Sequence, residues 1–174
     1  MYLISLYFDD KTNQRIQQYM NHVAKKTGNT AMTDGQVPPH ITISAFETRQ
    51  EDEVIQRFKN TALELKSGSL QWVSVGTFLP SVLYLAPVLN KYLHTLSEQI
   101  YASVADMEEL TIRPCYRPLQ WMPHTTIGKQ LSQKEMLTAF QVMQNQFGVF
   151  SGQSVKIGLA KTNPYRDLVV FDLK

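Results

Sequence analysis

The second half of this 174-residue chain repeats the first at an offset of 84 residues. Pro39-His40-Ile41-Thr42-Ile43 falls on Pro123-His124-Thr125-Thr126-Ile127, and no gap is needed. Thr48 and Glu51 fall on Ser132 and Glu135, so a Ser/Thr-x-x-Glu capping-box pattern recurs in step. Ser67-Gly68 falls on Ser151-Gly152, Val73 and Val75 on Ile157 and Leu159, and Pro80 on Pro164. Two α/β segments of similar length can overlay by chance. Here the matched positions carry capping and turn chemistry as well as apolar residues. A duplication limits the chain to architectures built from two copies of one supersecondary unit.

Periodicity describes that unit. Residues 2–8 are β-branched and aromatic and predict a strand. Asp9 or Asp10 caps a helix with Ile16, Tyr19, Met20 and Val23 on one face, and Gly28 stops it. A polar loop over 29–38 precedes a strand over 40–46. The Thr48/Glu51 box opens a helix carrying Val54, Ile55, Phe58 and Ala62. Strands follow over 70–78 and 82–85, around a turn at Pro80-Ser81. A helix spans 88 to about 104, and a loop contains Pro114 and Pro118. Then come a strand at 124–128, a helix from Ser132, and strands near 154–161 and 168–173. The expected fold is α+β: two pseudo-symmetric lobes with antiparallel sheets and flanking helices around a central cleft, forming one domain over 1–174.

Bulk properties narrow the setting. A hydrophobic fraction of 43% is ordinary for a chain that buries a core. No apolar run approaches bilayer length. The first strand stops at Asp9-Asp10 without the basic start or cleavage site of a signal peptide. Cys115, the single cysteine, has no partner for an internal disulfide, which fits a cytoplasmic protein. A net charge of +2 and a pI near 8.6 are too mild to indicate nucleic-acid binding by themselves. They are compatible with a small anionic substrate.

The repeated motif carries the chemistry. On a strand, residues i and i+2 share a face, so His40 lies beside Thr42 and His124 beside Thr126. Lobes meeting face to face would line one cleft with two imidazoles and two hydroxyls. Imidazole titrates near ~6.5 and serves as acid or base around neutrality. One neutral and one protonated histidine on opposite sides of a phosphate suit phosphodiester chemistry. The threonine hydroxyls can donate to its non-bridging oxygens.

Two His-x-Thr motifs at equivalent repeat positions resemble the 2H phosphoesterase superfamily and, within it, the 2′-5′ RNA ligase-like (LigT-like) group. The resemblance covers nearly the whole chain. It implies a bilobal α+β fold, no metal and no cofactor. It gives acid/base roles to His40 and His124 and phosphate contacts to Thr42 and Thr126. The implied substrate is a nucleotide or RNA end bearing a cyclic phosphate or a 2′-5′ linkage, with hydrolysis expected over ligation. The sequence departs from the group at Thr125, where an apolar residue is more usual, and at Lys129, where relatives often carry arginine. A lysine point charge does not replace the planar arginine fork. The alternative is a non-catalytic module that binds a nucleotide or RNA end in the same cleft.

Other candidates surround this pair. Arg113 and Arg117 can grip phosphate, and Tyr116 or Trp121 can stack on a base. An ordinary proline-shaped loop with one aromatic tucked into the core would read the same way. Tyr165-Arg166 forms a second candidate rim, beside the repeat-mate proline Pro164; a solvated turn would look alike. His22 and His94 lie on helices outside any repeated motif and are assigned surface or packing roles. Cys115 is read as an inert thiol. There is no His-x-His, His-Glu-x-x-His or Cys-x-x-Cys spacing for a metal, and no Gly-rich phosphate loop. Nothing singles out a protein-partner surface.

Overall fold

Every strand pairing is antiparallel, and the pairings join the two halves of the chain through one central strand. The computed structural model describes residues 1–174. Its strands are β1 (Tyr2–Phe8), β2 (His40–Glu47), β3 (Gly68–Phe78), β4 (Val82–Pro87), β5 (Thr111–Ile112), β6 (Thr125–Gly128), β7 (Phe150–Lys161) and β8 (Arg166–Asp172). The helices are α1 (Asp10–Thr27), α2 (Glu51–Ala62), α3 (Lys91–Val104) and α4 (Gln133–Gln146), with a 3-10 turn at Pro114–Tyr116. The expected α+β architecture is present. No helix is long and apolar enough to cross a membrane.

The caps explain most boundaries. Asp9 accepts the Thr12 amide at 3.0 Å and starts α1, and Gly28 ends it with a left-handed φ of 77°. At α4 the capping box forms as predicted: Ser132 accepts from the Glu135 amide, and Glu135 accepts from the Ser132 amide. Its repeat mate does not form. Gln50 is the N-cap of α2, Thr48 accepts from the Gln50 amide, and Glu51 is drawn off by stronger partners. The Glu51 carboxylate takes the Tyr2 hydroxyl at 2.8 Å and the Lys161 ammonium at 2.7 Å. Helix α3 begins at Lys91 rather than at Val88. Asn90 caps it by accepting the Leu93 amide, while the Val88 amide is bound to the Gln71 carbonyl and continues the sheet. Strand β7 begins at Phe150, earlier than predicted, because its polar Ser151–Ser154 stretch pairs with β3.

The main sheet order is β5-β2-β1-β7-β3-β4-β6, with β8 added to β7. Residues 150–154 of β7 pair with β3, and residues 156–161 pair with β8 on the same edge, while β1 runs along the opposite edge. One lobe is therefore β5-β2-β1-β7-β8 and the other β3-β4-β6. The chain interlaces them. Helix α1 leaves β1 but packs beside α4 against β6, whereas α3 leaves β4 but packs beside α2 against β2.

The duplication extends to irregularities. Pairing of β1 with β2 skips Ile43, and pairing of β4 with β6 skips Ile127, so a bulge follows the threonine of both motifs. In β3 and β7 the bulged residues are Val73 and Val155, which are 82 residues apart. The ungapped offset thus slips by two residues between motif and central strand. Peptide bonds before Pro80 and Pro164 are both cis.

Candidate functional site

Proline places each motif histidine. Pro39 and Pro123 are buried at the mouths of β2 and β6, and a residue preceding proline is biased to extended backbone. The chain turns there so that the histidine ring reaches back to the carbonyl two residues earlier. His40 Nδ1 lies 2.8 Å from the Pro38 oxygen, and His124 Nδ1 lies 2.9 Å from the Met122 oxygen. A carbonyl only accepts, so each Nδ1 carries the proton and each Nε2 is left free. The two rings are oriented by the same device.

Beyond each histidine, Thr42 and Thr126 occupy the same strand face, and the bulges at Ile43 and Ile127 then reverse the alternation. Each bulge ends the polar face after one His-x-Thr and returns the strand to the core, a use of bulges found beside active sites. Thr42 is buried, with its hydroxyl 3.4 Å from that of Ser5, its cross-strand neighbour. Tyr84 is the cross-strand neighbour of Thr126. The two halves of the site are thus alike in frame and unlike in lining.

Both imidazoles are held below the usual histidine range, chiefly because burial penalises the charged ring. The carbonyl partner pulls each back up. His40 is lowered further by the charges of His124 and Lys129 and raised by that of Asp167. His40 thus feels the charge of the second motif's histidine and of Lys129, which follows that motif.

Aromatic walls flank the pair. The Tyr7 ring tilts beside His40 at 6.3 Å, and its hydroxyl shares a 2.8 Å hydrogen bond with that of Tyr165, which donates to Asp167 at 2.9 Å. Burial above all raises the Tyr7 phenol, and it pushes Tyr165 up to about 12, so both stay protonated. On the other side, Phe78 meets His124 edge-on at 4.8 Å, and Tyr84 lies 5.6 Å from it. Each tyrosine ring lies over a glycine: a Cβ on Gly158 would sit 2.9 Å from Tyr7, and one on Gly76 would sit 2.5 Å from Tyr84.

An open pocket of about 430 Å³ adjoins His124, lined by Phe78, Arg113, Tyr116, Trp121 and Met122 among others. Trp121 has a core face and a pocket face. It is 5% exposed, with its indole N–H donating to the Thr42 carbonyl at 3.0 Å, yet it walls this pocket. That bond ties the loop before the second motif to the strand of the first.

Sequence candidates divide accordingly. His124, Tyr116 and Trp121 line one pocket, Trp121 bonds the Thr42 carbonyl, and His40 feels the charges of His124 and of exposed Lys129. Tyr165 reaches the site through Tyr7. Arg117 does not line the pocket; Arg113 does, because the 3-10 turn carries Arg117 out to solvent. Arg166 is turned to Glu51 at the start of α2, 3.7 Å away on the helix side of the sheet. Ser5, Tyr7, Phe78, Tyr84 and Asp167 escaped the sequence reading. Only Ser5, a polar residue inside an apolar strand, carried a local signal. His22 bonds Gln146 and His94 pairs with Glu98, both on helices away from the motifs. No group of three or more His, Cys, Asp or Glu side chains gathers as a metal cluster.

The profile of the 2′-5′ RNA ligase superfamily matches residues 8–163. The chain belongs to the 2′-5′ RNA ligase superfamily. Solved structures share its fold at low identity. E. coli LigT complexed with 3′-AMP is 12% identical with a TM-score of 0.67, over 99% of this chain and 97% of that one. The TT0787 protein of Thermus thermophilus is 15% identical at 0.63, over 99% and 97%. Usb1 of Kluyveromyces marxianus is 13% identical at 0.52, over 99% and 96%. No curated protein sequence matches at a significant level.

For a 2′-5′ RNA ligase superfamily member, the hydroxyl of Thr125 has a structural explanation. Thr125 is fully buried, and its Oγ1 accepts the Trp72 indole N–H at 3.1 Å. Thr125→Val should therefore cost about 1–3 kcal/mol by stranding that buried donor. Urea unfolding of the variant checks this, and an unchanged midpoint would show that the bond contributes nothing.

Proposed function

We propose that this chain is a metal-independent phosphoesterase acting on a cyclic phosphate or 2′-5′ phosphodiester of a nucleotide or RNA end, through His40 and His124. The observation that carries the reading is the matched pair of Nδ1–carbonyl bonds. They hold both rings in one tautomer and leave both Nε2 atoms for a ligand between the motifs. In hydrolysis of a 2′,3′-cyclic phosphate, one neutral Nε2 removes a proton from water as its oxygen attacks phosphorus. The phosphorus bond to one ribose oxygen breaks, and the other, protonated histidine delivers its proton to that leaving oxygen. Thr42 and Thr126 donate to the non-bridging oxygens as charge concentrates there.

The pocket beside His124 supports a nucleoside. Tyr116 and Trp121 offer stacking surfaces, Phe78 an apolar wall and Arg113 a cation. LigT, similar in fold, has been solved with 3′-AMP, ATP and NADP+, which favours the same ligand class.

The test is turnover of 2′,3′-cyclic nucleotides in EDTA. Activity that survives chelation supports the reading. Calorimetric binding without product over long incubation would replace it with a binding module. The pH profile should be bell-shaped in kcat/KM. Its acid limb is set by the base, which must be neutral, and its alkaline limb by the acid, which must be charged. Burial lowers both histidines, so the free enzyme should peak on the acid side of ~6.5 and lose activity as the acid deprotonates above it. A maximum well into the alkaline range would exclude this pair as the acid and base.

A further inference from the structure

Strand β8 follows the Pro164 turn as β4 follows the Pro80 turn, but it pairs on the edge of β7 that is shared with β3, whereas β4 pairs on the edge of β3 that faces away from β7. Strands β3 and β7 overlap through their first halves, Gly68–Trp72 against Phe150–Ser154. Beyond the overlap, β7 gains β8 on that edge, whereas the same edge of β3 over residues 74–78 pairs with nothing, its other edge being taken by β4. The difference shows in burial. Ile157 and Leu159 are fully buried beneath their neighbours, while Val75 and Thr77, matched to them by the Val73 and Val155 bulges, are only partly covered.

The vacancy continues into a groove. In the first lobe, Phe171 of β8 fills the space beside α2 by packing edge-on against Phe58 at 6.0 Å. In the second lobe the space between β3 and α4 is an open apolar groove of about 490 Å³, lined by Val73, Val75, Phe140, Met143 and Phe147. Val73 is 39% exposed and Phe140 43%. Natural sheets guard long edges with charges or proline. This edge has neither: no charged residue or histidine stands between Lys66 and Lys91. Exposed Phe78, Leu79, Val88 and Leu89 fall in that same uncharged stretch.

We propose that residues 74–78 of β3 form an interface on which a second copy of this chain adds its own β3, antiparallel, in the place that β8 fills on β7. Antiparallel edge pairing of one strand with itself is a closed two-fold contact, with the same patch on both subunits. An uncharged strand opposed to itself brings no like charges together, and a net charge of +2 opposes association only weakly. The other outer strand of comparable length, β8, carries Arg166, Asp167 and Asp172 and is guarded against the same event.

Sedimentation equilibrium from low to high micromolar concentration tests this with the full chain. The wild-type protein should show a monomer–dimer equilibrium. Ser74→Lys puts two ammonium groups at the paired edge, and Phe140→Lys charges the groove. Both should weaken the dimer about tenfold or more, ~1.4 kcal/mol. Phe140 projects from an exposed helix face, so its variant keeps the test valid if Ser74→Lys fails to fold; circular dichroism checks both. A wild-type protein that stays monomeric throughout overturns the proposal. So does a dimer whose constant neither folded variant changes.

Discussion

Alanine at His40 should reduce kcat/KM for a 2′,3′-cyclic nucleotide by about 10²–10⁴-fold, and alanine at His124 should do the same. Both reductions should fall mainly on kcat. In the proposed mechanism each imidazole would act on a proton in flight, whereas phosphate binding would rest on Thr42, Thr126 and the surrounding cations. The double variant should be little worse than either single one. Once one proton transfer is lost, the other has no concerted partner, and residues that act as a unit are strongly non-additive. Neither ring is a core side chain: both lie partly open on the cleft and bond only to the carbonyl of their own turn. The variants should therefore fold, and steady-state kinetics alone decides. Undiminished turnover in both would remove the two-histidine mechanism.

Trp72→Ala should be the most damaging single change to stability, at about 3–5 kcal/mol. Trp72 lies where the two lobes join, paired with Phe150 of β7 on one side and Pro87 of β4 on the other. Its ring is fully buried, stacked on Phe150 at 4.9 Å and edge-on to Phe8 at 5.0 Å. Removal opens a cavity among aromatics and also strands the Thr125 hydroxyl, which receives its N–H. Natural domains hold about 5–15 kcal/mol in all, so such a loss takes a large share. Urea unfolding measures it, with Trp72→Phe keeping one aromatic ring in the stack while losing the N–H and part of the buried volume, and so costing less than Trp72→Ala. A Trp72→Ala cost under about 1 kcal/mol would contradict the packing.

Much of this was legible in the chain because local chemistry wrote it. Pro-His-x-Thr-Ile appeared twice since the same turn, ring orientation and bulge are built twice. Asp9, Gly28 and the Ser132/Glu135 box marked real helix ends. The failures share a cause: long-range partners outbid local ones. Glu51 had the spacing for a capping box, but Tyr2 and Lys161, distant in sequence, hold its carboxylate. The start of β7 looked like a polar link until β3 was beside it. Tyr7 and Asp167 are 160 positions apart and meet only through the β1–β7–β8 pairing. Arg117 and Arg166 were attractive by type alone, and the directions of a 3-10 turn and of an edge strand sent both away from the cleft.

The position of β7 bears on how this molecule is born. It lies at the middle of the sheet yet is the penultimate strand of the chain. Until residues 150–161 are available, β1 and β3 have no strand between them, whatever outer pairings they have made. Both inner edges are then open to solvent and to other nascent chains. Pairings this distant in sequence close slowly. The two histidines belong to separate half-sheets until β7 emerges and zips them together, so ligand affinity should arise late and abruptly during synthesis. A protein truncated before Phe150 should carry both motifs and bind nothing.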